Sequence, residues 1–325
     1  MSSNKKSSTF RYVRIFVSLA LFVIIFYYLD WHRILDAFYQ SRKRILIYAF
    51  LLHFIGILAS VIRWNILLKA VGIHAKFKDL FILYWISLFY NIFLPGSIGG
   101  DVVRIYDLSK FTGNLNGSIA SVVMDRLLGM IVLMMIAVIA VIAGVHLVFS
   151  QSLVLLVVLF LAGFAFILAL LLLPNLRKTL SSLIPAKIMM LFQKKMTQML
   201  DTFSLYRNSP RVLLVSVLWS FILQLNVIFY YYLIGKSLGV SLHFFYYCIA
   251  IPVAQVITLI PISLGGTGLR EISFIGLFHQ FNVSAESAFS LSILGFILAA
   301  IFNSFGGLLL LSNLQKYQVR TGSSL

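Results

Sequence analysis

Two stretches of this chain repeat one another in residue types that suit anion binding. Residues 94–104 read Leu-Pro-Gly-Ser-Ile-Gly-Gly-Asp-Val-Val-Arg, and residues 260–270 read Ile-Pro-Ile-Ser-Leu-Gly-Gly-Thr-Gly-Leu-Arg. They align without a gap: Pro95, Ser97, Gly99, Gly100 and Arg104 match Pro261, Ser263, Gly265, Gly266 and Arg270. Proline cannot continue a helix, paired glycines let the backbone turn and approach a ligand, and the arm that follows starts a helix with free N–H groups. Such a turn suits an anion. An arginine about one turn into the new helix adds a forked guanidinium that matches phosphate, and the serines add hydroxyl donors. The plainer alternative is that Pro and Gly only bend helices and each arginine pairs with a nearby acid, Asp101 or Glu271. Bending alone does not require arginine at the same offset twice, and an arginine at membrane depth carries an insertion cost of about 2.5–3.5 kcal/mol.

The acids and amides extend the pattern. Asp101, Asp107, Asp125 and Glu271 lie in or near these elements, where a buried carboxyl needs a partner or takes up a proton, so proton coupling is open to the chain. Ser118, Ser121, Asp125 and Gly129 recur at helical spacing and predict a polar lane on one face, with Arg126 beside it. For Asp125 a salt bridge to an arginine of the first repeat competes with direct contact to ligand or proton. Asn91 precedes the first break, while Gln224, Asn226, Gln255 and Asn303 fit either interhelical hydrogen bonds or a ligand face. Phe229, Tyr230, Tyr231 and Tyr232 read as an interface belt. Cys248 is the single cysteine and reads as packing; the six histidines have neither HExxH spacing nor clustering, so no metal site or cofactor is expected. Without a Walker motif, ATP hydrolysis is not the expected engine.

The elements that must position these residues lie in a bilayer. The chain is 61% hydrophobic and 11% charged, and its mean hydropathy is +1.01, far outside the range of soluble domains. We expect an all-α polytopic membrane protein, with 1–325 forming one transmembrane domain. Hydropathy predicts spans at about 12–29, 45–68, 118–144, 151–173, 212–235 and 286–314. The first of these follows Lys5, Lys6, Arg11 and Arg14 and reads as an uncleaved helix. Residues 79–111 and 244–280 each hold an apolar arm, a Pro/Gly break and a shorter charged arm. The 26 Lys and Arg against nine Asp and Glu sit mostly in short loops, which positive-inside topology explains and nucleic acid does not.

The loop 174–211 carries seven cations against the single acid Asp201 and is expected on the cytoplasmic side, as are both termini. An even number of crossings must then separate the amino terminus from that loop. This makes the 79–111 and 244–280 segments re-entrant hairpins among six spans; the competing topology has eight spanning helices and puts the basic loop outside. The six-span count also makes 45–144 and 212–314 inverted repeats, an architecture in which opposed hairpins expose one site alternately to either face.

The segments from Asn91 to Arg104, Asp125-Arg126, and Pro261 to Glu271 resemble the flippase-like membrane family named for the lysylphosphatidylglycerol synthase transmembrane region. The resemblance covers nearly the whole chain. It implies that Asp101, Arg104, Asp125, Arg126, Arg270 and Glu271 line a lipid site, and that the protein is a lipid translocase rather than an enzyme. The soluble aminoacyl-transferase domain of the synthase members has no counterpart here, so lysine transfer is not expected. The expected partner is a membrane lipid with a phosphate headgroup, such as an anionic or aminoacylated phospholipid or a polyprenyl-phosphate-linked lipid. The alternatives are a membrane-embedded lipid-phosphate transferase with Asp101 or Glu271 as base, or an accessory subunit of a glycolipid or envelope pathway. A homo-oligomer or a biosynthetic enzyme partner fits either, and the expected location is the cytoplasmic (inner) cell membrane. The site expected from all these readings comprises Asn91, Pro95, Ser97, Gly99, Gly100, Asp101, Arg104, Asp125, Arg126, Ser263, Gly265, Gly266, Arg270 and Glu271.

Overall fold

Long apolar stretches with good helix formers leave the backbone one way to satisfy its polar groups in lipid, and that is a helix. The computed structural model describes residues 31–93, 99–143, 205–206, 209–258 and 268–321. Every regular element among these residues is a helix: α1 (Trp31–Gln40), α2 (Lys43–Ala70), α3 (Phe77–Phe93), α4 (Gly99–Thr112), α5 (Leu115–Ala143), α6 (Pro210–Ser237), α7 (Phe244–Ile257), α8 (Leu269–His279) and α9 (Ala285–Thr321). The protein is an all-α polytopic membrane protein. Four helices, within α2, α5, α6 and α9, are long and apolar enough to cross a bilayer. The 28 residues of α2 or α6 reach about 42 Å, against roughly 30 Å of hydrocarbon. These four correspond to the spans expected at 45–68, 118–144, 212–235 and 286–314. The spans expected at 12–29 and 151–173, and most of the 174–211 loop, lie outside the described residues.

The two ambiguous stretches are helix pairs, α3 with α4 and α7 with α8. Their arms have 17, 14, 14 and 11 residues, so they reach only about 16–26 Å. None has the usual length of a single-helix span, so a full crossing here would need both arms of a segment together.

The two halves repeat one another in packing as well as in sequence. Within each half the second hairpin arm packs on the final long helix, α4 on α5 and α8 on α9, while the first arm crosses over: α3 packs on α9, and α7 on α5. The long helices α2 and α6 pack directly against each other. Asn226 of α6 donates to the Leu52 carbonyl at 3.1 Å, whereas Ser220, earlier in α6, meets Arg63, later in α2, at 2.8 Å. The two helices are therefore antiparallel. The helix ends match too: Gly72 and Gly239 follow α2 and α6 with φ +75° and +80°, and the next residue's N–H closes back on Leu68 at 3.0 Å and on Gly235 at 2.9 Å. A glycine in the left-handed region is the common way to end a helix with its last carbonyls satisfied.

These contacts sort the loops onto two faces. Arg42 N–H donates to the Ser237 carbonyl at 2.9 Å, so the start of α2 lies beside the end of α6; α1, which leads into α2, packs on α9 through Ile34 and Phe289. The start of α5 at Gly117 lies against Ile73, just past α2. The α3–α4 hairpin thus leaves and returns at the face where α2 ends, and the α7–α8 hairpin at the face where α2 begins.

Candidate functional site

Arg104, the arginine of the first repeat, sits in the second turn of α4 and is 2% exposed. The start of α4 is held by a close approach. Gly100 donates its N–H to Asn91 Oδ1 at 2.7 Å, and a Cβ there would collide with the Ser87 carbonyl and the Asn91 side chain of α3, so glycine is required for the two arms to meet. From that anchored turn Arg104 reaches α5, donating from Nη2 to Asp125 Oδ2 at 3.2 Å and standing 3.6 Å from Asp101 Oδ1. Its guanidinium lies 4.7 Å from the Trp64 ring centroid and 4.9 Å from that of Tyr84, an arrangement that favours a desolvated cation. Arg126 donates from Nε to Asp101 Oδ2 at 2.5 Å.

Arg63 joins this cluster from α2. It is 6% exposed and donates from Nε to Asp125 Oδ1 at 2.8 Å and from Nη1 to Ser220 Oγ of α6, also at 2.8 Å. In sequence Arg63 looks like an interfacial cation near the end of a span, and it stands outside the repeated motif. The signal that finds it is Asp125: a carboxylate two turns into an apolar helix needs a cation at its own depth.

The second repeat builds a different arrangement. Arg270 of α8 donates to Glu271 Oε1, with its Nε at 3.0 Å, and to Ser292 Oγ of α9 at 3.1 Å; its guanidinium lies 4.5 Å from the Phe296 ring centroid. Glu271 is fully buried, and its Oε2 accepts the Gly268 N–H at 2.6 Å, which caps α8. Where Arg104 meets the acid Asp125, Arg270 meets the neutral Ser292.

Arginines from both halves line one cavity of about 430 Å³. Asn91, Asp101, Arg104, Asp125, Arg126 and Arg270 lie on its wall, along with Arg63, Tyr84, Ser87, Gln224, Gln255 and Asn303. Four arginines against two aspartates leave this lining with an excess of positive charge. Gln224 donates to the Gly129 carbonyl at 3.1 Å, which leaves its own carbonyl oxygen buried without a partner among the described residues; Arg104 Nε and Gln255 Nε2 are in the same condition. Buried polar atoms of this kind are normally satisfied; the two donors, Arg104 Nε and Gln255 Nε2, suit an anionic acceptor, whereas Gln224 Oε1 calls for a donor. No group of three His, Cys, Asp or Glu that could hold a metal occurs among the described residues.

Several expected residues fall elsewhere. Pro95, Ser97, Pro261, Ser263, Gly265 and Gly266 lie outside the described residues. Gly99 and Gly100 start α4, and Gly100 serves its packing against α3, while Glu271 stands behind Arg270 rather than on the cavity wall. The N–H groups of Gly100 and Gly268, expected to face an anion, are occupied by Asn91 and Glu271. The lane predicted along α5 divides: Asp125 and Gly129 reach the cavity, but Ser118 and Ser121 are fully buried, Ser121 accepting from Trp64 Nε1 at 3.2 Å. Of the supposed aromatic belt only Phe229 is exposed; Tyr230 donates inward to the Gly295 carbonyl at 2.6 Å, and Tyr231 and Tyr232 pack on Phe274 and Tyr247.

Fold and site together define a polytopic α-helical membrane protein whose two halves both line an arginine-rich cavity. Residues 12–307 match the family described as the lysylphosphatidylglycerol synthase TM region, and the chain belongs to that family. It is similar to a UPF0104 membrane protein of Pyrococcus horikoshii, 26% identical across 93% of this chain and 97% of that protein. UPF0104 membrane proteins of Methanocaldococcus jannaschii and Methanothermobacter thermautotrophicus are 31% and 30% identical over shorter stretches, covering 36% and 35% of this chain and 35% of each relative. No solved structure matches the chain.

Proposed function

We propose that this protein is a lipid translocase, moving a lipid with a phosphate-bearing headgroup between the leaflets of the cell membrane. The observation that carries this reading is the joint cavity: Arg63, Arg104 and Arg126 from one half and Arg270 from the other face one space with excess positive charge. A phosphate needs buried cations with forked donors, and acyl chains need a route that stays in lipid while the headgroup is sheltered. Opposed hairpins meeting at one site supply the second requirement, because rocking one half against the other exposes that site to each face in turn. The same reading takes the substrate as an anionic or modified phospholipid or a polyprenyl-phosphate-linked lipid. Asp101 and Asp125 neutralise the arginines between cycles and offer a place for a coupling proton, and both termini lie in the cytoplasm.

Vesicle reconstitution tests the proposal. With headgroup-labelled anionic lipid in the vesicles, the intact chain is expected to speed transbilayer movement. Arg104→Ala, and Arg270→Lys, which keeps a cation beside Glu271 but loses the forked donors, should each slow it by about tenfold, the equivalent of one lost phosphate contact of ~1.4 kcal/mol. Equal rates for all three proteins would remove the arginines from the site.

A further inference from the structure

Three arginines, Arg63, Arg104 and Arg126, share two carboxylates, and they do not share them equally. Arg63 holds Asp125 at 2.8 Å and is itself fixed by Ser220 at 2.8 Å, so it ties α2, α5 and α6 together. Arg126 holds Asp101 at 2.5 Å. Arg104 has the weaker remainder, with Asp125 at 3.2 Å, Asp101 at 3.6 Å, and a buried Nε without a partner among the described residues. Each aspartate thus keeps a closer cation whether or not Arg104 is engaged. A buried carboxylate stripped of its counter-charge is strongly unfavourable, so an arginine can leave one cheaply only when a second cation stays behind.

We propose that Arg63 is a positioning residue that keeps Asp125 paired, so that Arg104 can pass from Asp125 to the anionic headgroup of the bound lipid. The inference rests on the reading that such a headgroup binds at Arg104. The residues on the page give the exchange a direction. Arg104 is already desolvated against Trp64 and Tyr84, and turning from carboxylate to phosphate trades one acceptor for another without exposing charge. In the opposite half Arg270 shares a helix turn with its own carboxylate, Glu271, and Ser292 fills the neutral place beside it. No second cation covers Glu271 among its described partners, so releasing Arg270 would strand a fully buried acid. The two halves therefore divide the work: Arg104 is the exchangeable cation and Arg270 the fixed one.

The test measures selectivity as well as transport. The full-length purified protein is equilibrated with mixed micelles of phosphatidylglycerol and phosphatidylcholine, and the retained lipids are counted by native mass spectrometry. Arg63→Gln is expected to lower the ratio of anionic to zwitterionic lipid by about tenfold, equivalent to ~1.4 kcal/mol, because Asp125 then claims Arg104. Arg63→Lys should keep most of the ratio, and adding Asp125→Asn to Arg63→Gln should restore it by freeing Arg104. Wild-type selectivity in Arg63→Gln, or no recovery in the double variant, overturns the proposal. If Arg63→Gln does not fold, Ser220→Ala decides, since it loosens Arg63 without removing its charge: a smaller shift in the same direction is expected, and an unchanged ratio overturns the proposal. Arg104→Gln separates the two readings. Unchanged selectivity there removes the lipid site and the exchange with it, whereas loss there with none in Arg63→Gln removes only the exchange.

Discussion

Glu271 has no exposed surface, yet it satisfies two groups at once, the Gly268 N–H that opens α8 and the Arg270 guanidinium. Removing both functions with Glu271→Ala should cost about 3–5 kcal/mol, the usual penalty for leaving one partner of a buried pair alone. Glu271→Gln keeps an acceptor for the N–H and loses only the charge, so its loss should be smaller. Thermal unfolding in detergent, followed by tryptophan fluorescence, should rank wild type above Gln and Gln above Ala; equal midpoints for the two variants would show that the cap contributes nothing. The two repeat arginines were legible from spacing alone, because a charge repeated at one offset in apolar surroundings needs a reason. Their partners were less so. Arg63 bears no motif and only depth gives it away, and the burial of Ser121 against Trp64 depends on a tertiary contact that helical periodicity does not encode.

The hairpins are set against the long helices by small residues. In α9 a Cβ at Gly306 would run into the Trp85 backbone of α3, whereas nothing lies within 4 Å of one at Gly276 on α8. Backbone cannot swing aside as a flexible side chain does, so Gly306→Ala must push α3 off α9 and should cost about 1–3 kcal/mol. Gly276→Ala should be neutral or gain up to about 1 kcal/mol from helix propensity. Unfolding midpoints for the pair check this, and a Gly306→Ala protein as stable as wild type would mean that α3 and α9 do not pack so closely. Hydropathy was enough to read the four described spans, since length and composition alone decide whether a helix can cross. The hairpin arms were ambiguous for the converse reason: each segment couples an apolar arm to a shorter charged one, neither arm has the length of a span, and only packing reveals where the chain turns back. Helix α1 was not foreseen, because ten residues that include Arg33 and Asp36 form no apolar run.

At the scale of the whole molecule, the antiparallel packing of α2 and α6 runs these corresponding helices in opposite directions and assigns the described loops to two faces. Gln40 and Ser241 belong to the face where α2 begins and α6 ends; Lys78 and Asn116 belong to the face where α2 ends. Charge suggests an orientation. The second face carries Lys69, Lys76, Lys78, Lys110 and Arg211 among the described residues, and positive-inside bias makes it the expected cytoplasmic side. Arg42, Lys43 and Arg44 on the first face oppose that assignment, with Asp36 offsetting them in part. The repeat was readable from sequence because five identities align without a gap, whereas its inversion was read from charge counting; the contacts of Arg63 and Asn226 add that α2 and α6 run antiparallel. Single cysteines introduced into a Cys248→Ala background test the arrangement in sealed right-side-out membrane vesicles with an impermeant maleimide. Gln40→Cys and Ser241→Cys should react without permeabilisation, whereas Lys78→Cys, Asn116→Cys and Lys194→Cys should react only after it. The opposite result at all five sites would reverse the orientation and leave the inverted fold standing. Reaction of Lys78→Cys from one side and Asn116→Cys from the other would turn the α3–α4 hairpin into a crossing, and the cavity would lose the opposed hairpins on which alternating access depends.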